Sequence, residues 1–276
     1  MSPSAKPVGH ATRGTTGTNR LRRVDRWIAG HPALRQVEEP LVVDLGFGAS
    51  GVTAFELESR LRRAHPGVEV LGIEIDPERV ARADAQLAAV RAGRTSFPAD
   101  ARVWFARGGF EARAPRPPAV IRAFNVLRQY DEADVAAAWS LMASRLDPRG
   151  VVVDGTCDEI GRVCTWVELG ADAVPRTLTI SLRLAGLEAP SIAAERLPKA
   201  LIHHNVPGEA VHALFAALDR EWTRAAPLAT FSAEQRWRAA LDALARSGTP
   251  LLARSRWRLG EVTVPWSAVA PAASAR

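Results

Sequence analysis

From Glu39 onward, short runs rich in Val, Ile and Leu alternate with longer stretches whose apolar residues recur at helical spacing. A strand buried on both faces reads as a continuous apolar run, and its crossover helix as an amphipathic one, so this alternation predicts βαβ units and a parallel sheet. Strands are predicted over residues 41–45 (LVVDL), 69–75 (EVLGIEI), 101–106 (ARVWFA), 119–125 (AVIRAFN) and 150–156 (GVVVDGT). Helices are predicted between them over residues 50–64, 77–92 and 132–146. Pro77 suits a first helical turn, and Pro148-Arg149-Gly150 punctuates the chain before the fifth strand.

Beyond that point the rhythm changes. VCTWVEL (163–169) and TLTISLRL (177–184) are separated by a short turn-rich link and predict a β-hairpin, which in an open parallel sheet supplies an antiparallel edge. From Pro190 the pattern is mainly helical, over 208–226 and 232–248, and SRWRLGEVTVPW can add a last strand. At the other end, residues 19–33 place Leu21, Val24, Trp27 and Ile28 at helical spacing. Residues 1–18 and 268–276 show no such period, so a disordered leader and tail are expected around an α/β domain (19–189) and a mainly helical extension (190–267) that forms a lid or acceptor pocket.

Composition narrows the class. No run approaches the roughly 18–20 apolar residues of a membrane span, and the first residues lack a secretory signal's apolar centre, so a cytoplasmic protein without membrane contact is expected. Cys157 and Cys164, spaced C-x6-C, match no common zinc or redox pattern, and no metal site is expected. The net charge of +6 rests almost wholly on arginine, since Lys6 and Lys199 are the only lysines. Total charge does not establish a nucleic-acid patch, which requires clustering. Arg20, Arg22, Arg23 and Arg26 admit several readings: contact with an RNA backbone, a cover over a bound ligand, a guanidinium fork on a ligand carboxylate, and an ordinary solvated helix face.

The chemistry is concentrated in VVDLGFGASG, a strand that runs into a glycine turn and then a helix. Gly46 and Gly48 let the backbone bend and approach a ligand, and Gly51 allows close helix-to-strand packing. Taken alone, these glycines also satisfy the dinucleotide fingerprint. Two acids discriminate. Asp44, two residues before the turn, would face a pyrophosphate but is compatible with a cationic ligand. Glu74, at the end of the second strand, can accept hydrogen bonds from ribose hydroxyls.

VVDLGFGASG followed by VLGIEIDPERV resembles motifs I and II of class I S-adenosylmethionine-dependent methyltransferases, and the resemblance extends over residues 38–185. It implies a seven-stranded, mostly parallel Rossmann-like sheet flanked by helices, and S-adenosyl-L-methionine as cofactor. By the same resemblance the cofactor-binding residues are Asp44, Gly46, Phe47, Gly48, Glu74, Ile75, Gly109, Phe110 and Asn125. Asp44, Gly46 and Gly48 would hold the aminocarboxypropyl group, Glu74 the ribose, and Asn125 would lie toward the transferred methyl. There are departures. Ser50 replaces the third glycine of the family pattern. Gly109 stands where the family often carries an adenine-binding acid, which leaves Glu111 or backbone near Phe110 to serve.

The resemblance leaves the acceptor open between a small molecule and a protein. Tyr130 and His203 are the catalytic candidates, with Arg128, Asp158, Glu159 and His204 also expected near the mouth. The alternatives are an RNA methyltransferase, a non-catalytic methyltransferase-like interaction module, and a nicotinamide-dependent oxidoreductase, which Asp44 disfavours. The absence of an Asn/Asp-Pro-Pro-Tyr tetrapeptide in AFNVLRQY argues against nucleobase amino methylation.

Overall fold

The computed structural model describes residues 6–14 and 17–272. The ends of the expected leader and tail, residues 1–5 and 273–276, lie outside it, as do residues 15 and 16. The predicted helix over 19–33 divides into α1 (Arg22–Ala29), which buries Val24, Trp27 and Ile28, and a four-residue α2 (Pro32–Arg35). The break has a local cause. Pro32 has no N–H to continue α1, and the His31 side chain caps the new turn by accepting from the Ala33 N–H at 3.2 Å.

The alternation then appears as β1 (Leu41–Leu45), α3 (Val52–Leu61), β2 (Glu69–Glu74), α4 (Pro77–Arg91), β3 (Val103–Arg107), β4 (Val120–Phe124), α5 (Glu132–Ala143) and β5 (Val151–Cys157). Every residue of β1, β4 and β5 is buried, so these strands read as mainly apolar runs, each interrupted by a charged residue, Asp44, Arg122 or Asp154. Asp76 caps α4 by accepting from the Glu78 N–H at 2.9 Å, and Pro77 occupies its first turn. β1 pairs in parallel with β2 and β4, and β2 with β3. The register sets Asp44 of β1 against Arg122 of β4.

The chain continues through β6 (Val163–Gly170), β7 (Pro175–Leu182), α6 (Lys199–Ile202), α7 (Ala210–Arg224), α8 (Ala233–Arg246) and β8 (Glu261–Pro265). The sheet therefore has eight strands rather than seven, in the order β3-β2-β1-β4-β5-β6-β7-β8. β8 is the additional one and pairs antiparallel with β7, from Thr177 opposite Pro265 to Ser181 opposite Glu261.

Two compact units are distinguishable. The first runs to Asp154 and includes Glu159–Gly161 and Leu169–Val174; the second takes Gly155–Asp158, Arg162–Glu168 and Pro175–Arg276. The division falls within β5, earlier than the expected boundary at 189. The second unit packs its helices on their apolar stripes, burying Leu214, Leu218 and Trp222 of α7 and Trp237, Leu241 and Leu244 of α8. No helix among the described residues is long and apolar enough to cross a membrane.

Residues 6–14, expected to be part of a disordered leader, are held by the first unit. The Val8, His10 and Arg13 N–H groups donate to Glu111 Oε2 (2.8 Å), Tyr130 Oη (2.7 Å) and Gln129 Oε1 (2.6 Å).

Candidate functional site

The loop after β1 turns through two left-handed glycines, Gly46 at φ +69° and Gly48 at φ +83°. A Cβ on Gly46 would lie 2.5 Å from Val126 Cγ2, so close approach as well as conformation calls for glycine there. Gly51 sits where a Cβ would come within 2.5 Å of the Phe105 ring, which brings the start of α3 down onto β3. Two adjoining cavities of the first unit open beside this turn. One, of about 80 Å³, includes Asp44, Gly46, Phe47, Gly48 and Asn125 in its lining. The other, of about 20 Å³, includes Glu74, Ile75, Gly109, Phe110 and Tyr130. The nine residues expected to bind a cofactor therefore line one or other of two neighbouring spaces.

Their roles differ from one another. Glu74 is buried at the end of β2, and its carboxylate accepts from the Gly48 N–H (3.0 Å) and the Ile75 N–H (2.9 Å). Arg79 Nη1 lies 3.4 Å away. This carboxylate ties the glycine turn to the second strand. Asp44 also lines the wall, but its oxygens are already engaged, by Arg122 Nε (3.0 Å), Arg122 Nη2 (2.7 Å) and Thr53 Oγ1 (2.8 Å). Arg122 is fully buried, bonds Asp25 of α1 through Nη1 and donates to the Thr53 carbonyl at 3.2 Å. Burial works against its charge, yet the Asp44 and Asp25 carboxylates hold its pKa above the ordinary arginine value. Asp44 therefore lines the cavity with its carboxylate paired to Arg122. Its charge is met inside the protein.

Phe47 is in the cavity lining, and its ring packs edge-on to Phe105 at 5.1 Å. Asn125 ends β4 at φ +60°, a conformation that asparagine tolerates better than most residues. After the third strand, Glu111 is buried beside Gly109. Its Oε1 accepts from the Gly109 N–H at 3.0 Å, and its Oε2 accepts from Val8.

The catalytic candidates fare less well. The Tyr130 hydroxyl accepts from the His10 N–H and donates to the His10 carbonyl at 3.0 Å. Burial, with a smaller contribution from Glu74, pushes its phenol pKa up against that backbone bond, which is the wrong direction for a general base. His203 is exposed at the end of α6 in the second unit and lines neither cavity. His204 Nδ1 lies 3.6 Å from Glu209. Arg22 of the basic helix donates to the carbonyls of Asn19 and Ile160, both at 2.9 Å.

Thr12, Arg13, Gly14, Arg20 and Leu21 also line the larger cavity, and Val8, His10 and Thr12 the smaller one. Sequence reading missed these wall residues at positions 8–14. Gly9 and Gly14 were the available signal: a Cβ on Gly9 would lie 2.7 Å from Tyr130 Oη, and one on Gly14 would lie 2.9 Å from Gly48 Cα.

No family model matches the chain, and no curated protein matches it. Solved structures do. The mitomycin 7-O-methyltransferase is 21% identical over 50% of this chain and 37% of its own, with a TM-score of 0.36. An O-methyltransferase from neocarzinostatin biosynthesis, in complex with S-adenosylmethionine and 2-hydroxy-5-methyl naphthoic acid, is 20% identical over 49% of this chain and 37% of its own, with a TM-score of 0.35. The YcgJ protein of Bacillus subtilis is 24% identical over 50% of each chain, also with a TM-score of 0.35. The chain spans half or less of the length of these proteins.

Proposed function

We propose that this chain is an S-adenosylmethionine-dependent methyltransferase whose acceptor is a small molecule or a protein group. The observation that carries the reading is the buried Glu74 carboxylate, which accepts the Gly48 N–H and stands in the wall at the end of β2. Its lone pairs meet the Gly48, Ile75 and Asp76 N–H groups and Arg79 Nη1, so vicinal ribose hydroxyls would take the places of the two longest contacts, those of Asp76 and Arg79 at 3.4 Å. The residues around it fit the rest of the cofactor. Gly46 and Gly48 remove Cβ atoms from the turn, and Arg20, in the lining of the same cavity, is a residue type whose guanidinium suits a carboxylate.

A pyrophosphate fits less well. The N–H of Gly51, the cap of α3, already donates to Gln86 Oε1 at 2.8 Å, which removes one of the donors that a phosphate uses at a helix start.

When bound, S-adenosylmethionine supplies a methyl group on a cationic sulfur, open to in-line attack by an acceptor lone pair. The protein's part is to orient the two and exclude water.

Calorimetric titration with S-adenosylmethionine, S-adenosylhomocysteine and NAD tests the reading. Saturable binding of the first two is expected. Glu74→Gln should weaken both by roughly tenfold or more, the size of one or two charge-assisted hydrogen bonds. Binding of NAD alone, or affinity indifferent to Glu74→Gln, would overturn it. A cofactor-free interaction module is the second reading, favoured by the place of Val8, His10 and Thr12 in the smaller cavity.

A further inference from the structure

The two cavities, of about 80 and 20 Å³, are far smaller than the roughly 300–1,000 Å³ of a site that takes a cofactor-sized molecule. What fills the difference is the chain itself. Val8 donates its N–H to Glu111 Oε2 at 2.8 Å and accepts the Phe110 N–H on its carbonyl at 3.0 Å. One residue thus offers a donor and an acceptor side by side to a carboxylate and a backbone amide. The amino-pyrimidine edge of adenine carries the same pair, an amine N–H next to a ring nitrogen. Resting on the proposed cofactor, we propose that residues 8–13 form an autoinhibitory strap whose Val8 peptide takes the adenine position, so that the cofactor binds only when the strap leaves.

The remaining contacts follow the same wall. Both main-chain groups of His10 bond Tyr130 Oη, and the His10 ring stacks on Tyr130 at 4.0 Å between centroids. The Thr12 carbonyl accepts from Arg79 Nη2 at 2.8 Å, and Arg79 Nη1 faces Glu74. Arg13 exchanges main-chain bonds with the Gln129 amide, at 2.6 and 3.3 Å. Gly109 accounts for the fit. A Cβ there would lie 2.0 Å from the Val8 carbonyl oxygen, so an acid at 109 is incompatible with the strap, and Glu111 supplies the carboxylate from two residues further on.

Population arithmetic sets the size of the effect. A strap closed about nine-tenths of the time lowers apparent cofactor affinity about tenfold. The test uses the full chain and alters the strap only. Gly9→Val places a branched residue at φ +119°, with its Cβ against Tyr130 Oη, and Val8→Pro deletes the N–H that donates to Glu111. Ala11→Ser, at an exposed strap position, is the control.

By calorimetry, S-adenosylhomocysteine should bind Gly9→Val and Val8→Pro about tenfold more tightly than wild type and Ala11→Ser. In parallel, trypsin should cut after Arg13 faster when wild type is saturated with S-adenosylhomocysteine, and equally fast in Gly9→Val without it. Equal affinity across all four proteins, or slower cutting on saturation, would overturn the strap and leave the cofactor assignment standing. Binding by none of them would overturn the cofactor assignment and the competition with it.

Discussion

Arg122 is an arginine in the middle of a fully buried strand, and its surroundings explain how it is tolerated. Asp25 and Asp44 meet it directly, while Arg60 meets Asp25 and Glu56 from the rim, so three carboxylates surround two guanidinium groups. The cluster joins α1, β1, β4 and α3 beneath the glycine turn. Removing one member of such a group leaves charge buried without a partner, which typically costs about 3–5 kcal/mol. Arg122→Met is expected to lose about that much stability, measured by urea unfolding. A loss under about 1 kcal/mol would show that the two carboxylates are readily neutralised or hydrated in the folded state. This also changes what substitutions of Asp44 report: Asp44→Ala would break the buried charge cluster, whereas Glu74→Gln keeps an amide oxygen that can accept from the Gly48 N–H and is the less disruptive probe of the ligand.

Among the elements, β5 and α5 share a buried acid. Asp154 accepts from Trp139 Nε1 at 2.9 Å, and burial, opposed only by that bond, pushes its carboxyl up to about 7. In the unfolded chain the group releases its proton near pH 3.9. Between those values the native state keeps a proton that the unfolded state has lost, so this acid's contribution falls as pH rises from about 4 to about 7 and is level above. The span corresponds to about 4 kcal/mol at most. Asp154→Asn keeps an acceptor for Trp139 and removes the titration. Relative to it, wild type should lose stability across that window in urea midpoints, and parallel profiles would show that the carboxyl is not held protonated.

For the chain as a whole, the net charge of +6 is a poor guide to contacts. Many arginines have acids beside them, as in Arg62 with Glu58 and Asp100, Arg116 with Glu69, and Arg256 with Glu261. The more useful whole-chain property is the gradient of protection. Amides of the fully buried β1 and β4 should exchange slowest, as expected where opening requires global unfolding. Within residues 6–14, the Val8, His10 and Arg13 amides should exchange more slowly than that of Ala11, because each has an acceptor. Hydrogen exchange resolved by residue checks this, and uniformly fast exchange over the segment would show that these bonds do not persist in solution.

The parallel strands and the glycine turn were legible because local chemistry dictates them: apolar runs of about five residues must be buried, and Gly46 and Gly48 take up a left-handed backbone. Glu74 was legible for a similar reason, as a carboxylate ending such a run. The eighth strand was harder to assign, since GEVTVPW becomes a strand only by pairing with β7. The pairing of Arg122 could not be read, because Asp25 lies 97 positions away and β-sheet register, not spacing, brings Arg122 beside Asp44. Residues 8–13 escaped notice because they are held largely through N–H and carbonyl groups, which every residue but proline carries alike. Side-chain pattern records burial. It cannot record a segment bound by its backbone, whose partners Glu111, Gln129 and Tyr130 meet it only when the chain has folded.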